Sequence, residues 1–493
     1  MYLCEYKNFI AKRTVICHSS GRSDFVILHF KLTMMSKHSI LVLGAGISGL
    51  TTAFLLQKKG FDVTILEKRD VVGGCIRSEN DEKFPYDLGP NSILDTVPLI
   101  RELVADLNLE DQLLDANEKG NKRYILKDNK LHALPTSAKA FLQTRLFSTA
   151  AKLRLLKEPF VGRSHDGYYQ SIADFVKRRL GQEFLDYAIN PFVAGVYAGK
   201  PEKLSVASAF PKLYALEEKY GGLFVGAFKS ARERKKRAEK SKQSAAMISF
   251  KHGVQTLPNA MAAALDGHIH YGAQLLKISQ DSDSYKVSYL KEGKELSLNA
   301  NIILSTIPAH LAASVFEHLD TQLSAIFRSI VYPPVLVYVL AYKKTDIGQA
   351  LDGFGFLIPE KEKKSFLGAI WNSVIFPDRY DNTHAVFTLF VGGARSPEIL
   401  HEEVESIKKR VRQEFESLMK IENAPVFENH KMWESAIPQY NLGYIENERY
   451  FDAFEEKFPG IFLGGNYRGG ISVGDSIKNA GISAEKIEAF LSK

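Results

Sequence analysis

Short apolar runs alternate with longer stretches of helical period, and that alternation predicts a mixed α/β chain. Ile40–Leu43 reads as a buried strand, residues 50–59 continue at helical period, and Val63–Leu66 reads as a second strand. Pro98 sits in the first turn of a helix whose apolar stripe is Leu99, Leu103, Val104 and Leu107. Residues 124–126 and 131–134 flank Lys127-Asp128-Asn129-Lys130 as a hairpin. Residues 136–230 read mainly as helices. There Ser171 and Asp174 form a capping box ahead of Ile172, Phe175, Val176 and Leu180, and Gly181 ends that helix. Residues 141–156 mix apolar and basic positions. The pattern favours a helix facing the core with solvated lysines, ahead of one lying on a membrane surface. Residues 253–258 lead into a further helix. Residue 269, 275–278, 285–290 and 302–307 read as strands that rejoin the first unit. Four β-rich runs, 333–342, 355–358, 366–372 and 385–391, predict a second domain's sheet, followed by an amphipathic helix at 399–420. A last strand enters a glycine-rich turn after Gly460, and a helix runs from Asp475 to Phe490.

Between the first strand and its helix lie Gly44, Gly46 and Gly49 in GxGxxG spacing, with Ala45, Ile47 and Ser48 between them. Gly44 allows the tight turn, Gly46 lets backbone approach a pyrophosphate, and Gly49 lets helix and strand pack closely. The helix N-terminus offers free N–H groups and a positive dipole end to phosphates. Glu67 ends the second strand roughly 20 residues on, placed to accept from ribose hydroxyls. An acid there favours FAD or NAD over NADP. A cofactor-free glycine turn is the competing reading, but strand, helix, second strand and acid all fall in the required order.

The chain is 493 residues long, enough for two or three domains. A formal charge of +7 fits an acidic substrate or an anionic membrane surface, and equally plain solubility. Three cysteines, at 4, 17 and 75, without CxxC spacing argue against a disulfide scaffold or zinc site and suit a reducing compartment. Residues 39–56 carry no charge, yet three glycines in fingerprint spacing read better as strand, turn and helix than as a membrane span. Residues 1–36 read as an extension outside the fold, with Met34 and Met35 as candidate translation starts. The basic run 229–243 lacks an apolar face and interleaved aromatics, so it reads as a solvated loop and excludes nucleic acid as partner.

The stretch Val72-Gly73-Gly74-Cys75-Ile76-Arg77-Ser78 resembles the second glycine signature of amine-oxidase-like flavoproteins, which selects FAD over NAD. Cys75 stands where those proteins often carry arginine, and Arg77 lies two residues on. Asp87-Leu-Gly-Pro-Asn-Ser92, Val196-Tyr-Ala-Gly199, Gly353-Phe-Gly-Phe-Leu-Ile-Pro359, Phe376-Pro377 and Ile437-Pro-Gln-Tyr-Asn-Leu-Gly443 narrow the likeness. From about residue 37 onward the chain resembles the oxygen-dependent, FAD-containing protoporphyrinogen oxidases. It departs from their pattern at Cys75 and at Tyr444, where histidine is common.

The resemblance implies a discontinuous Rossmann-like FAD-binding domain (37–95, 250–310, 425–493). It also implies a β-rich substrate domain (96–135, 311–424) and a helical, possible membrane-associating insert (136–249). It implies that Gly44 to Gly49, Glu67, Gly73, Gly74, Cys75, Gly89, Pro90, Asn91, Ser92, Leu275, Asn466, Ile471, Ser472 and Val473 line non-covalent FAD. Arg123 matches the residue that pairs a substrate propionate, and Leu336 or Val337, Leu357 and Phe376 match those that sandwich a tetrapyrrole. On the residues alone, Arg123 reads equally as a surface arginine, and Phe376 as ordinary core. The implied reaction is six-electron oxidation of a porphyrinogen with O2 as acceptor, on protoporphyrinogen or alternatively coproporphyrinogen. No general base and no metal is called for. A cytoplasmic location, peripheral contact with a membrane, handover of product to a ferrochelatase and a homodimer are further expectations. Two other readings compete. One is an amine oxidase or desaturase, with Tyr440 and Tyr467 as an aromatic cage; the other is a flavin-bound protein without catalysis.

Overall fold

Two sheets position the site. The computed structural model describes residues 39–492 except Glu82, Gly167 and residues 238–244. The extension, with Cys4 and Cys17, lies outside the described residues. In chain order the strands of the two sheets are β1 (Ile40–Leu43), β2 (Val63–Leu66), β3 (Arg123–Lys127), β4 (Lys130–Ala133), β5 (Ile269–His270) and β6 (Ile302–Ser305). They continue with β7 (Val335–Lys343), β8 (Gly355–Leu357), β9 (Gly368–Trp371), β10 (His384–Gly392), β11 (Phe427–Trp433) and β12 (Ile461–Leu463). Around them lie helices α1 (Ile47–Lys58), α2 (Ala138–Gln143), α3 (Thr149–Leu155), α4 (Ile172–Arg179), α5 (Asn190–Tyr197), α6 (Leu223–Arg237), α7 (Val404–Met419) and α8 (Val473–Leu491).

The first sheet is parallel, in the order β5-β2-β1-β6-β12. Every residue of β1 is buried, as both faces of a parallel sheet require. Ile40 and Val42 pack with Leu50, Ala53 and Leu56 of α1 and with Ile477 and Ile487 of α8. The start and the end of the chain therefore share one layer, and Thr52 Oγ1 donates to the Ala480 carbonyl at 3.1 Å. The uncharged stretch 39–56 is β1 plus most of α1, and no helix of the described residues is long and apolar enough to cross a membrane.

The second sheet runs β11-β7-β10-β9-β8-β3-β4, with only β8 and β3 parallel. All four β-rich runs fall in it. Alternation splits β7 cleanly: Leu336, Tyr338, Leu340 and Tyr342 pack on Ile407, Val411 and Phe415 of α7, whereas Val335 and Val337 join Ala194 and Ala198 on the opposite face. β11, which the resemblance groups with the FAD-binding segments, is the outer strand beside β7. Its residues are nearly all half-buried, so the period-two signal that would have assigned it is weak.

The helical layer departs from expectation twice. Residues 141–156 break into α2 and α3, the latter capped by Ser148 accepting from the Ala151 N–H at 3.2 Å. Leu146 and Phe147 are buried and Phe141 and Leu155 pack against the core, but Leu142, Leu153 and Leu156 are 70%, 59% and 69% exposed, so only part of the apolar set faces the core. The basic run is helical as far as Arg237, as part of α6, and the rest falls outside the described residues. The start of α6 is capped from a distance, since Glu158 accepts from the Leu223 and Phe224 N–H groups at 2.7 and 3.1 Å. The fully buried Arg179 holds that carboxylate at 2.6 Å and also bonds Glu217.

Candidate active site

At the C-terminal end of β1, Gly44 has φ +99° and donates to the Leu66 carbonyl at 2.8 Å. A Cβ on Gly49 would lie 2.1 Å from the Gly44 carbonyl oxygen and 3.1 Å from Val42 Cγ1, so helix and strand touch there as the spacing predicts. α1 starts at Gly46 and Ile47 with no side-chain cap, which leaves first-turn N–H groups without a side-chain partner. Ser48 is buried in that turn. Glu67 is 7% exposed; its Oε2 accepts from the Ala45 N–H at 2.8 Å and its Oε1 from the Arg69 N–H at 3.0 Å.

The second glycine pair closes directly on the first. Gly73 N–H donates to the Ala45 carbonyl at 2.8 Å, and a Cβ on Gly74 would lie 3.2 Å from Gly46 Cα. Cys75 keeps accessible surface, and desolvation nonetheless pushes its thiol pKa up. Arg77 does not turn toward the glycines; its Nε lies 3.6 Å from Glu79. Arg69 does, donating to the Gly74 carbonyl at 2.9 Å. The sequence reading missed Arg69, whose one signal was its place two residues after Glu67.

The later segments arrive at the same edge. Gly89 presses on Cys75, where a Cβ would meet the Cys75 carbonyl oxygen at 2.0 Å. Pro90 and Ser92 flank Asn91, which is buried and donates from Nδ2 to Thr388 Oγ1 at 3.2 Å. Leu275 follows Ala273, whose N–H donates to the Glu67 carbonyl at 2.8 Å. From the far end of the chain, Gly464 N–H donates to the Ser305 carbonyl at 2.8 Å. Tyr440 Oη donates to the Asn466 carbonyl at 2.7 Å and accepts from the Gly470 N–H at 3.1 Å. Ile471 and Ser472 are half-buried, Ser472 caps α8 by accepting from Asp475 N–H at 3.1 Å, and Val473 begins the helix. Three glycine-rich stretches thus meet beyond the carboxyl ends of parallel strands, where open α/β sheets bind ligands.

The residues that the likeness assigns to the substrate lie on the second sheet and on the single turn after β9. Arg123 opens β3 opposite Gly355 and lies 5.2 Å over the Phe354 ring. Arg123 is exposed, no carboxylate pairs with it among the described residues, and partial desolvation by its surroundings lowers its pKa. Phe376 is 3% exposed and packs with Phe354 and Ile370. Leu357, opposite Ile125, is crowded by α5: a Cβ on Gly195 would lie 2.6 Å from Leu357 Cδ2. Val337 faces this side. Leu336 faces α7, on the opposite face of the sheet. Tyr440 and Tyr467 are buried, and Tyr440 stacks on Tyr444 with ring centroids 4.4 Å apart.

A family model of the flavin containing amine oxidoreductases matches residues 47–487. The chain belongs to that family. It is an oxidoreductase, and its cofactor is a flavin. It is 31% identical to protoporphyrinogen oxidase 2, chloroplastic/mitochondrial, of Arabidopsis thaliana, over 94% of this chain and 96% of the relative. It is 25% identical to the coproporphyrinogen III oxidase of Bacillus subtilis (strain 168), over 90% of this chain and 96% of the relative. Among solved structures it resembles a protein of Exiguobacterium sp. 255-15 assigned as a protoporphyrinogen oxidase. The TM-score is 0.76 at 21% identity, covering 92% of this chain and 99% of the other, a likeness that speaks for the fold alone.

Proposed function

We propose that the chain oxidises protoporphyrinogen IX to protoporphyrin IX, removing six electrons with dioxygen as final acceptor and non-covalent FAD as cofactor. What supports this reading is the likeness to a protoporphyrinogen oxidase over nearly the whole chain, together with Arg123, an exposed cation 5.2 Å over the Phe354 ring with no carboxylate partner among the described residues. A bound flavin supplies the hydride acceptor. The chain's own residues supply position and dryness. Phe376, Leu357 and Val337 offer flat apolar contact to a macrocycle. Arg123 suits a propionate, since a guanidinium binds a carboxylate through two parallel bonds. Both glycine turns and the uncapped start of α1 suit the pyrophosphate, and Glu67 suits the adenosine ribose.

Coproporphyrinogen is the second reading, supported by the bacterial relative. Turnover of the two porphyrinogens, followed by porphyrin fluorescence in air, separates them. Faster turnover of protoporphyrinogen supports the first, and the reverse order replaces it. Denaturation in acid should release all flavin as FAD; flavin left on the chain would contradict non-covalent binding.

The helical layer also turns Leu142, Leu153, Leu156, Phe160 and Phe228 outward, the last two at 88% and 74% exposure. Exposed apolar side chains of that size suit peripheral contact with a membrane surface.

A further inference from the structure

We propose that Thr388 is a positioning residue that couples the flavin-binding loop to the wall of the substrate slot. This rests on the oxidase reading above. Thr388 lies in the middle of β10, opposite Val339 on one side and Ile370 on the other, and is 0% exposed. Its neighbours on that face are apolar, so a valine would suit the strand without bringing a buried hydroxyl. The hydroxyl has a specific use, because Thr388 Oγ1 accepts from Asn91 Nδ2 at 3.2 Å and from Asn372 Nδ2 at 2.7 Å. Both amides are buried, 8% and 3% exposed.

The two amides belong to different parts of the site. Asn91 sits in the segment that follows Gly89, whose backbone presses on Cys75 at the glycine pair. Its carbonyl is held from the other side by Ser249 Oγ at 3.3 Å. Asn372 opens the single turn Asn372–Ile375, and its carbonyl accepts from the Phe376 N–H at 2.9 Å. One oxygen is therefore a single bond from the cofactor loop and one short turn from Phe376. It fixes how far the ring that walls the slot stands from the loop that walls the flavin. Small misplacements of reacting groups are expensive in rate, about a hundredfold for an ångström.

The test uses three variants of the full chain and two readouts. FAD affinity comes from fluorescence titration of the apoprotein, and the rate of flavin reduction from anaerobic mixing with protoporphyrinogen. Thr388→Val releases both amides, so FAD affinity should fall and reduction should slow, each by roughly tenfold. Asn372→Leu frees only the slot wall, so reduction should slow while FAD affinity stays at the wild-type value. Thr388→Ser keeps the oxygen and should restore both readouts to within about twofold. Wild-type behaviour of Thr388→Val, or failure of Thr388→Ser to rescue, overturns the proposal. If Thr388→Val does not fold, Asn372→Leu decides alone, and reduction at the wild-type rate overturns the coupling. A wild-type flavin that protoporphyrinogen never reduces would instead overturn the oxidase reading, and the FAD-affinity comparison would still judge Thr388.

Discussion

Replacing Gly49 with alanine should expel the flavin while leaving a folded chain. The new Cβ would stand 2.1 Å from the Gly44 carbonyl oxygen, where ordinary contact begins at 3.4 Å. Backbone cannot rotate away as a long side chain could, so α1 must retreat from β1 by about an ångström. The same Cβ would meet Thr306 Oγ1 at 2.8 Å, and that hydroxyl now shares its one proton between the Leu43 and Gly44 carbonyls, at 3.0 and 3.1 Å. Overpacking of this kind costs about 1–3 kcal/mol, and a lost buried hydrogen bond about 1 kcal/mol more. The sum is survivable against a typical stability of about 5–15 kcal/mol. The flavin suffers more directly. Its pyrophosphate would lose N–H contacts from the first turn of α1, each worth about 1.5–3 kcal/mol when the acceptor is charged, or tenfold or more in Kd. Flavin absorbance relative to protein after purification, and titration of apoprotein with FAD, read this out. Gly60→Ala is the control: its φ of +89° strains any side chain, but a Cβ there meets nothing within 4 Å, so flavin should be retained. Full flavin and unchanged affinity in Gly49→Ala would refute the reasoning, as would equal loss in Gly60→Ala.

Arg123→Ala should raise KM for the porphyrinogen roughly tenfold to a hundredfold with flavin content unchanged, from loss of a charge-assisted bond of about 1.5–3 kcal/mol. Arg123→Lys should recover part of it, and an unchanged KM in Arg123→Ala would remove the arginine from the slot. Glu217 in the helical layer is pulled two ways: burial raises its pKa, but bonds from Arg179, the Ser164 N–H and Arg178 together hold it below the usual carboxylate value. A depressed folded pKa stabilises above the unfolded value of about 4.3, and that stability drains as pH falls below it toward the folded value. Protection of the α4 and α6 amides, taken relative to intrinsic exchange at each pH, should therefore fall in that acid range, and Glu217→Gln should flatten the dependence. Identical profiles would contradict it.

The nucleotide end of the site was legible because its parts are contiguous. Strand, glycine turn, helix, second strand and acid follow one another between Ile40 and Glu67, and local pattern is enough to read them. The neighbours of the substrate residues were not legible in the sequence, since their assembly is non-local. Nothing near Arg123 announces that β3 will lie beside β8, or that Phe354 will slide under its guanidinium. Leu336 and Val337 are equally apolar neighbours, and only the order of strands and the seat of α7 assign them to opposite faces. The Glu158 cap on α6 failed to register for the same reason: the donor N–H groups and the acceptor are far apart in the chain. Leu142, Leu153 and Leu156 misled the reading because an apolar stripe looks the same whether it faces a core or an outer surface.

Anaerobic mixing of the purified yellow protein with protoporphyrinogen is the most direct measurement. Bleaching of the flavin band in a single binding-dependent phase, with porphyrin fluorescence rising once air is admitted, is the expected result. A flavin that stays oxidised in the presence of the porphyrinogen, or a polypeptide that takes up no flavin, would contradict the oxidase.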